Sequence, residues 1–429
     1  MPDPAATVVA INTVADRTRI ERAIAELRST KAVRQRASAL LVRARRGESA
    51  WFTVNDGAMV TTAALVAELT KARYPDLNIP YHSRWRHFEA GGVDRTGQLN
   101  AALGKVTAAE KATAQIDLAL VSVLLDAGAG ADWCFREPAQ GGQAEHEYTR
   151  SEGLGIASFH AFMNGLFSSD TARPLQADAR GLQALSTEKL AQAFQVTPSN
   201  LLVGLEGRAA LLRQLGQALQ DQPGLFGPDG RPGHLFAVLT KGRDTLQVHD
   251  LLSVLLAGLA GIWPAQNAIE GTALGDCWRH AACSNGDASD ISQGWMPFHK
   301  LSQWLTYSLL EPFEWAGIRI AGIDALTGLP EYRNGGLFLD AGVLRLKNPA
   351  LENRLYQTGD ELIVEWRALT VALLDELAPM VQVQLGLTAA QMPLACVLEG
   401  GTWAAGRALA QQLREGRPPL NIQSDGTVF

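Results

Sequence analysis

Apolar residues recur at helical spacing along almost the whole of this 429-residue chain, which leaves little room for anything but a multi-helical fold. ADRTRIERAIAELRS sets Ile20, Ile24 and Leu27 on one face. KAVRQRASALLVRARR follows, with Arg34, Arg36, Arg43, Arg45 and Arg46 read as a solvated basic face. Further helices are expected over AMVTTAALVAELTKA, over residues 98–127, over SEGLGIASFHAFMNGLF with Ser151 as N-cap, and in series from 180 to 262. ELIVEWRALTVALLDEL is amphipathic, with Leu362, Trp366, Leu369 and Leu373 inward. Strand patterning is confined to GIRIAGI and GGLFLDAGVLRL. The expected fold is mainly α, with at most a small β-hairpin. An N-terminal helical region (1–130) is expected to join a helical catalytic region (131–429).

Residues 294–344 concentrate the chemistry. Pro297 suits a first helical position and Pro312 a helix end. Between them Phe298, Leu301, Leu305 and Leu309 should face the core, while Lys300, Gln303 and Tyr307 share another face. The loop IDALTGLPEYRNGG then supplies Asp324, Glu331 and Arg333. Only eight of the 38 basic residues are lysine, so Lys300 among aromatics stands out. A structural ion-pair network would also gather such charges, but the density of aromatics favours a small-molecule site. Glu361 and Glu365 are like charges at i, i+4, a conflict that Arg333 or Lys300 would remove.

Other segments carry weaker signals. His82, Arg84, Trp85, Arg86 and His87 crowd one segment, which would either grip a phosphate or carboxylate or cement two helical layers. DWCFREP offers Asp132, Trp133, Phe135 and Arg136. His160 reads as a core histidine bonded to backbone. EGGTWAAGR opens a helix whose free N–H groups can bind an anion, although an ordinary capped helix accounts for it as well.

Net charge of −6 gives no basic footprint for nucleic acid. Four cysteines without a CxxC pair and an N-terminus without a signal-peptide pattern suggest reduced thiols and a cytoplasmic protein. No run approaches membrane-spanning length, since LLSVLLAGLAGIW is too short. GxGxxG with a following acid, GxxxxGK[ST], GxSxG and HExxH are all missing, so no cofactor is expected. The histidines lack ligand spacing and no metal is expected, though His82, His87 and His280 would have to be kept apart in space for that to hold. Cys134 needs a histidine partner to act as a nucleophile. Carboxylate chemistry around Asp324 and Glu331 remains.

SRWRHFEAGGVDR, RSEGLGIASFHAF, GLEGRAALLRQLG, FHKLSQWLTYSLLEPFEWAG, DALTGLPEYRNGG, CVLEGGTWAAGR and the terminal SDGTVF together resemble a family of formerly unknown function in the URC route of uracil catabolism of fungi and bacteria. The resemblance spans essentially the whole chain. It implies a role in breaking down uracil through ribosylated intermediates, with ribosylurea or its phosphate consumed. Shorter motifs resemble the queuosine salvage nucleotide N-glycosylases, which have a helical DNA-glycosylase-like fold. DWCF is similar to their Asn-Phe-Cys-Phe, with Asp132 for Asn. HKLSQ matches their Lys-x-x-Gln at Lys300 and Gln303. LTGLPEYR matches their Leu-Thr-x-x-x-Asp-Tyr-Arg at Tyr332 and Arg333, with Glu331 for Asp and a carboxylate one methylene longer. EWRA is similar to their Glu-Ile-Arg-Ala at Glu365 and Arg367.

Both resemblances imply cleavage of a ribosyl C1–N bond. A carboxylate would stabilise the oxocarbenium ion while it, or a neighbour, activates water. Glu331 is assigned that role, with Asp324 as alternate, and Lys300 would protonate the leaving group or hold the carboxylate ionised. Trp133 and Phe135 would wall the ligand, and Arg333 with Arg84 or Arg86 would hold a 5′-phosphate. An amidohydrolase using a metal or Cys134, and a non-catalytic binder of a pathway intermediate, are the rivals. The expected partner is a small ribosylated compound, with no nucleic acid and no membrane.

Overall fold

The helix Lys300–Trp315 has every residue from Leu301 to Phe313 buried, and the other layers assemble around it. The structure, a computed structural model, describes residues 14–130, 132–137, 146–262, 267–284, 286–287 and 289–423. The terminal SDGTVF motif and most of the polar loop after DWCFREP lie outside the described residues.

The prolines around this helix act differently from what their positions suggest. Pro297 lies in the strand Trp295–Pro297, paired antiparallel with Cys277–Arg279. The helix starts three residues later, after His299 takes a left-handed φ of 51°. Its free N–H groups are met from a distance: the Asp276 carbonyl accepts from Phe298 N and His299 N, and its side chain accepts from Lys300 N at 3.0 Å. Pro312 sits inside the last turn instead of ending it. It frees the carbonyl of Ser308 four residues back, and the Trp85 indole N–H takes that carbonyl at 2.8 Å.

Ala108–Leu124 packs along one side of the central helix and is buried at nearly every position from Ala112 on. The single helix expected over 98–127 is two, Arg95–Leu103 and Ala108–Leu124. Gly104 ends the first at φ 69°, and Thr107 with Glu110 forms a reciprocal capping box for the second. Thr30–Arg45 and Ala58–Arg73 pack instead on Glu361–Leu385. Among the described residues Glu361–Leu385 alone is long and apolar enough to cross a membrane, correcting the expectation that no segment reaches that length. Of its most apolar window 67% is buried in the protein, as a core helix would be.

Arg45 and Arg46 lie exposed as a solvated face would, whereas Arg34 and Arg36 are partly buried. Arg34 pairs with Asp375, Arg36 with Glu26 and Arg45 with both Asp56 and Glu376. The fold is mainly α, and its strands form small two-stranded pairings instead of one hairpin. Phe52–Val54 pairs with Leu344–Leu346, and Thr245–Gln247 pairs in parallel with Arg319–Ala321. GIRIAGI is thus partly extended, whereas the GGLFLD half of the other expected strand is helical within Tyr332–Asp340. One contiguous apolar core includes Val33 at one end of the sequence and Leu420 at the other.

The C-terminal helix has no free end after Gly-Gly-Thr. Leu394–Val397 runs through a π-helical turn, Leu398–Thr402, directly into Trp403–Arg414. Arg73 takes the carbonyls of Glu399 and Gly400, the latter at 3.1 Å. Gly406 lets this helix press against the next layer, because a Cβ there would overlap the Arg333 carbonyl.

Candidate active site

Residues 324–331 have little regular structure, yet side chains from several helices hold most of the backbone carbonyls. Arg34 donates to the carbonyls of Asp324 at 2.8 Å, Ala325 at 3.2 Å and Leu326 at 2.6 Å. Gln303 Oε1 accepts from Thr327 N at 2.7 Å, and Tyr307 OH donates to Thr327 O at 3.3 Å. Asn334 Nδ2 donates to Leu329 O at 3.1 Å, and Arg367 Nε to Pro330 O at 3.2 Å. The loop delivers Glu331 as N-cap of Tyr332–Asp340, its oxygens accepting from Asn334 N at 2.6 Å and Arg333 N at 2.7 Å.

Glu331 lines a cavity of about 340 Å³ together with Lys300, Tyr332, Arg333, Asp126, His82, His87, Trp304 and Trp403. Burial raises the Glu331 carboxyl above its ordinary range, against the two backbone N–H groups and Lys300. Burial lowers the Lys300 ammonium, while Glu331 and Asp126 favour its charged form. Lys300 makes no ion pair among the described residues. Burial would raise Asp126 too, but Arg84 and then other neighbours, Lys300 and the Ser151 hydroxyl among them, bring it below the usual carboxylate range. Arg84 Nη1 lies 3.1 Å from Asp126 Oδ1 but off the hydrogen-bonding direction, so Oδ1 remains a buried acceptor without a hydrogen bond. The Trp304 indole N–H is likewise buried and unsatisfied. Unmet polar groups of this kind in a cavity point to a ligand that completes them.

His82 stands between Trp304 and Trp403, with ring centroids 6.5 and 6.4 Å away. Its Nδ1 lies 2.8 Å from Glu399 Oε2. Burial acts to raise Glu399, but His82 and Arg73 outweigh it and bring the carboxyl to about 2. The pair is a histidine oriented by an ionised carboxylate, with Nε2 left for the cavity. His87 is held neutral, lowered to about 3 by burial and then by Arg84.

The cavity therefore gathers Lys300, Glu331, Tyr332, Arg333, His82 and His87 from the residues singled out in the sequence. The remaining ones lie elsewhere. Asp324 is exposed, and Arg34 holds its backbone. Trp133 is buried, donates to Phe194 O at 3.0 Å and stacks on Phe194. Phe135 stacks on His160, which bonds Glu137 at 2.6 Å and not backbone, while Asp132 is exposed. Arg84 is engaged with Ser122, Ser151 and Asp126, and Arg86 with Glu311 and Glu89, so neither is a free anion grip. Gln303, with Arg367, braces the loop. Arg367 also pairs with Asp276 at 2.8 Å through both terminal nitrogens, and that carboxyl sits at about 2 because Arg367 and neighbouring hydrogen bonds outweigh burial.

Glu365 bonds Ser49 and His280, the latter at 3.1 Å, and Glu361 Oε1 accepts from Ala281 N at 2.6 Å. Glu365 is thus held by Ser49 and His280 and Glu361 by a backbone N–H, and neither is paired with Arg333 or Lys300. Ser151 is not an N-cap, since its helix runs Arg150–Met163 after Thr149. Asp126 and the His82–Glu399 pair are absent from the sequence reading. Asp126 had one signal, a carboxylate at a helix end before a glycine-rich turn, whereas His82 and Glu399 lie 317 residues apart. Among the described residues no group of three or more His, Cys, Asp or Glu side chains is placed to hold a metal ion.

Two curated relatives cover most of the chain. Protein urg3 of Schizosaccharomyces pombe is 40% identical over 416 residues, covering 95% of this chain and 99% of its own length. Uracil catabolism protein 4 of Lachancea kluyveri is 39% identical over 386 residues, covering 82% of this chain and 85% of its own length. Residues 26–429 match the model of the family described as "Protein of unknown function (DUF1688)", and the chain belongs to that family.

Proposed function

We propose that this protein is a hydrolase of uracil catabolism that cleaves the C1–N bond of ribosylurea or its 5′-phosphate, giving urea and the ribose or ribose phosphate. A place in uracil catabolism is supported by the name of the Lachancea kluyveri relative. The reaction rests on one observation: two carboxylates, Glu331 buried and Asp126 largely so, and an unpaired lysine line a single cavity walled by Trp304, Tyr332 and Trp403. As the C1–N bond breaks, its electron pair leaves with the urea nitrogen and positive charge develops on the ribose. Asp126, held ionised, stabilises that charge. Glu331, raised toward neutrality, accepts a proton from the water that attacks C1. Lys300 donates a proton or a hydrogen bond to the departing nitrogen.

A product assay tests the reading. Purified protein is mixed with ribosylurea and separately with its 5′-phosphate, with and without a chelator, while urea, ribose and ammonia are followed. Equal release of urea and ribose (or its phosphate) supports the proposal. Ammonia without urea would replace it with an amidohydrolase acting on the ureido group, and no turnover of either compound would replace it with a binding protein.

A further inference from the structure

We propose that Arg150, Arg333 and Arg417 form a phosphate-binding subsite in the wall of this cavity. The ligand is then the 5′-phosphate of the ribosyl compound, an identification that rests on the N-glycosidase reading. All three arginines line the cavity. Among the other deeply buried arginines, Arg84, Arg95 and Arg367 have the carboxylate partners Asp126, Glu137 and Asp276, while Arg208 spends its N–H groups on the carbonyls of Leu125, Val203, Ala127 and Gly128. Among the described residues none of the three cavity arginines has a carboxylate partner. Arg333 is only 3% exposed, donates Nη1 to the Gly416 carbonyl at 3.1 Å and keeps a buried Nε without a hydrogen bond. A guanidinium so placed, with no acid to neutralise it, is an incomplete interaction that an anion of the ligand completes.

The other two arginines come from separate elements that meet at the same place. Arg150 opens the helix Arg150–Met163 with a left-handed φ of 54°, a conformation that a non-glycine residue adopts at a cost. Arg417 follows Gly416, and its Nε donates to the Arg414 carbonyl at 3.2 Å. Both are exposed at the rim. Two rim guanidinium groups and one buried group match the bidentate, multi-oxygen geometry of a phosphate monoester. Arg84 and Arg86, already neutralised, cannot serve this purpose.

Calorimetric titration with ribose 5-phosphate, ribose and inorganic phosphate tests the subsite without needing turnover. Ribose 5-phosphate should bind at least tenfold more tightly than ribose. Arg150→Gln and Arg417→Gln should each weaken ribose 5-phosphate binding about tenfold, as expected for loss of a charge-assisted contact, and leave ribose binding unchanged. Both side chains are exposed, so these variants should melt like the parent protein. Equal affinity for the two sugars, or variants that bind ribose 5-phosphate normally, would overturn the subsite. Absence of urea release in the product assay would instead overturn the N-glycosidase reading while leaving these titrations interpretable.

Discussion

Glu331 has two roles that one substitution separates. Its oxygens cap Tyr332–Asp340 by accepting N–H groups at 2.6 and 2.7 Å, and its charge faces the cavity. Glu331→Asn keeps the cap, because asparagine is among the strongest N-cap residues, so stability should change by no more than about 1 kcal/mol. The general base is lost. Loss of a positioned general base costs roughly 10²–10⁴-fold in rate. Urea release by Glu331→Asn should therefore fall by about three orders of magnitude while the thermal unfolding curve stays in place. Glu331→Gln, which keeps the chain length, should behave alike. Full turnover in a folded Glu331→Asn protein would show that Glu331 is a helix cap and nothing more.

Three further outcomes follow from the packing and the charges. Gly406→Ala drives a Cβ into the Arg333 carbonyl and should cost about 1–3 kcal/mol in urea denaturation, with reduced turnover; an unchanged midpoint would refute the close approach. Glu415→Gly relieves a left-handed φ of 55° at an exposed helix C-terminus and should raise stability by about 1 kcal/mol, read from the same denaturation curve. Glu399 is held at about 2 against an ordinary 4.5, so it stabilises the fold above that ordinary value. This contribution, on the order of 3 kcal/mol, is lost as pH falls toward 2. Unfolding curves from pH 6 to 2 should therefore show a shallower acid limb for Glu399→Gln, and identical limbs would contradict the ionised Glu399 carboxylate beside His82.

The sequence reading is most accurate where local pattern decides the outcome. Leu301, Leu305 and Leu309 lie inward as their spacing implies, and the turn-rich loop does carry Glu331 and Arg333 into the cavity beside Lys300. It fails where long-range pairing decides. Pro297 reads as a helix start only if Asp276 is ignored, and nothing local announces that a distant aspartate caps Lys300. Trp133 and Phe135 resemble ligand walls because aromatic content alone cannot tell a packed ring from a cavity-facing one. Arg84 and Arg86 are cationic in sequence but neutralised in space. The two-residue and three-residue strands are too short to stand out from loops, so their pairings appear only in the folded chain.

The π-helical turn at Leu398–Thr402 sets a register. It amounts to one residue more than a straight α-helix would need, and Arg73 holds the carbonyls thereby displaced. Deleting a single residue there would let the helix run on regularly. Everything beyond would then rotate by about 100° relative to what precedes it. Trp403 would leave its place beside His82, and Gly406 would no longer face Arg333. Point substitutions in this turn change one side chain, whereas a one-residue deletion changes the direction of the whole C-terminal helix. Sequence length across these five positions is therefore constrained more tightly than sequence identity.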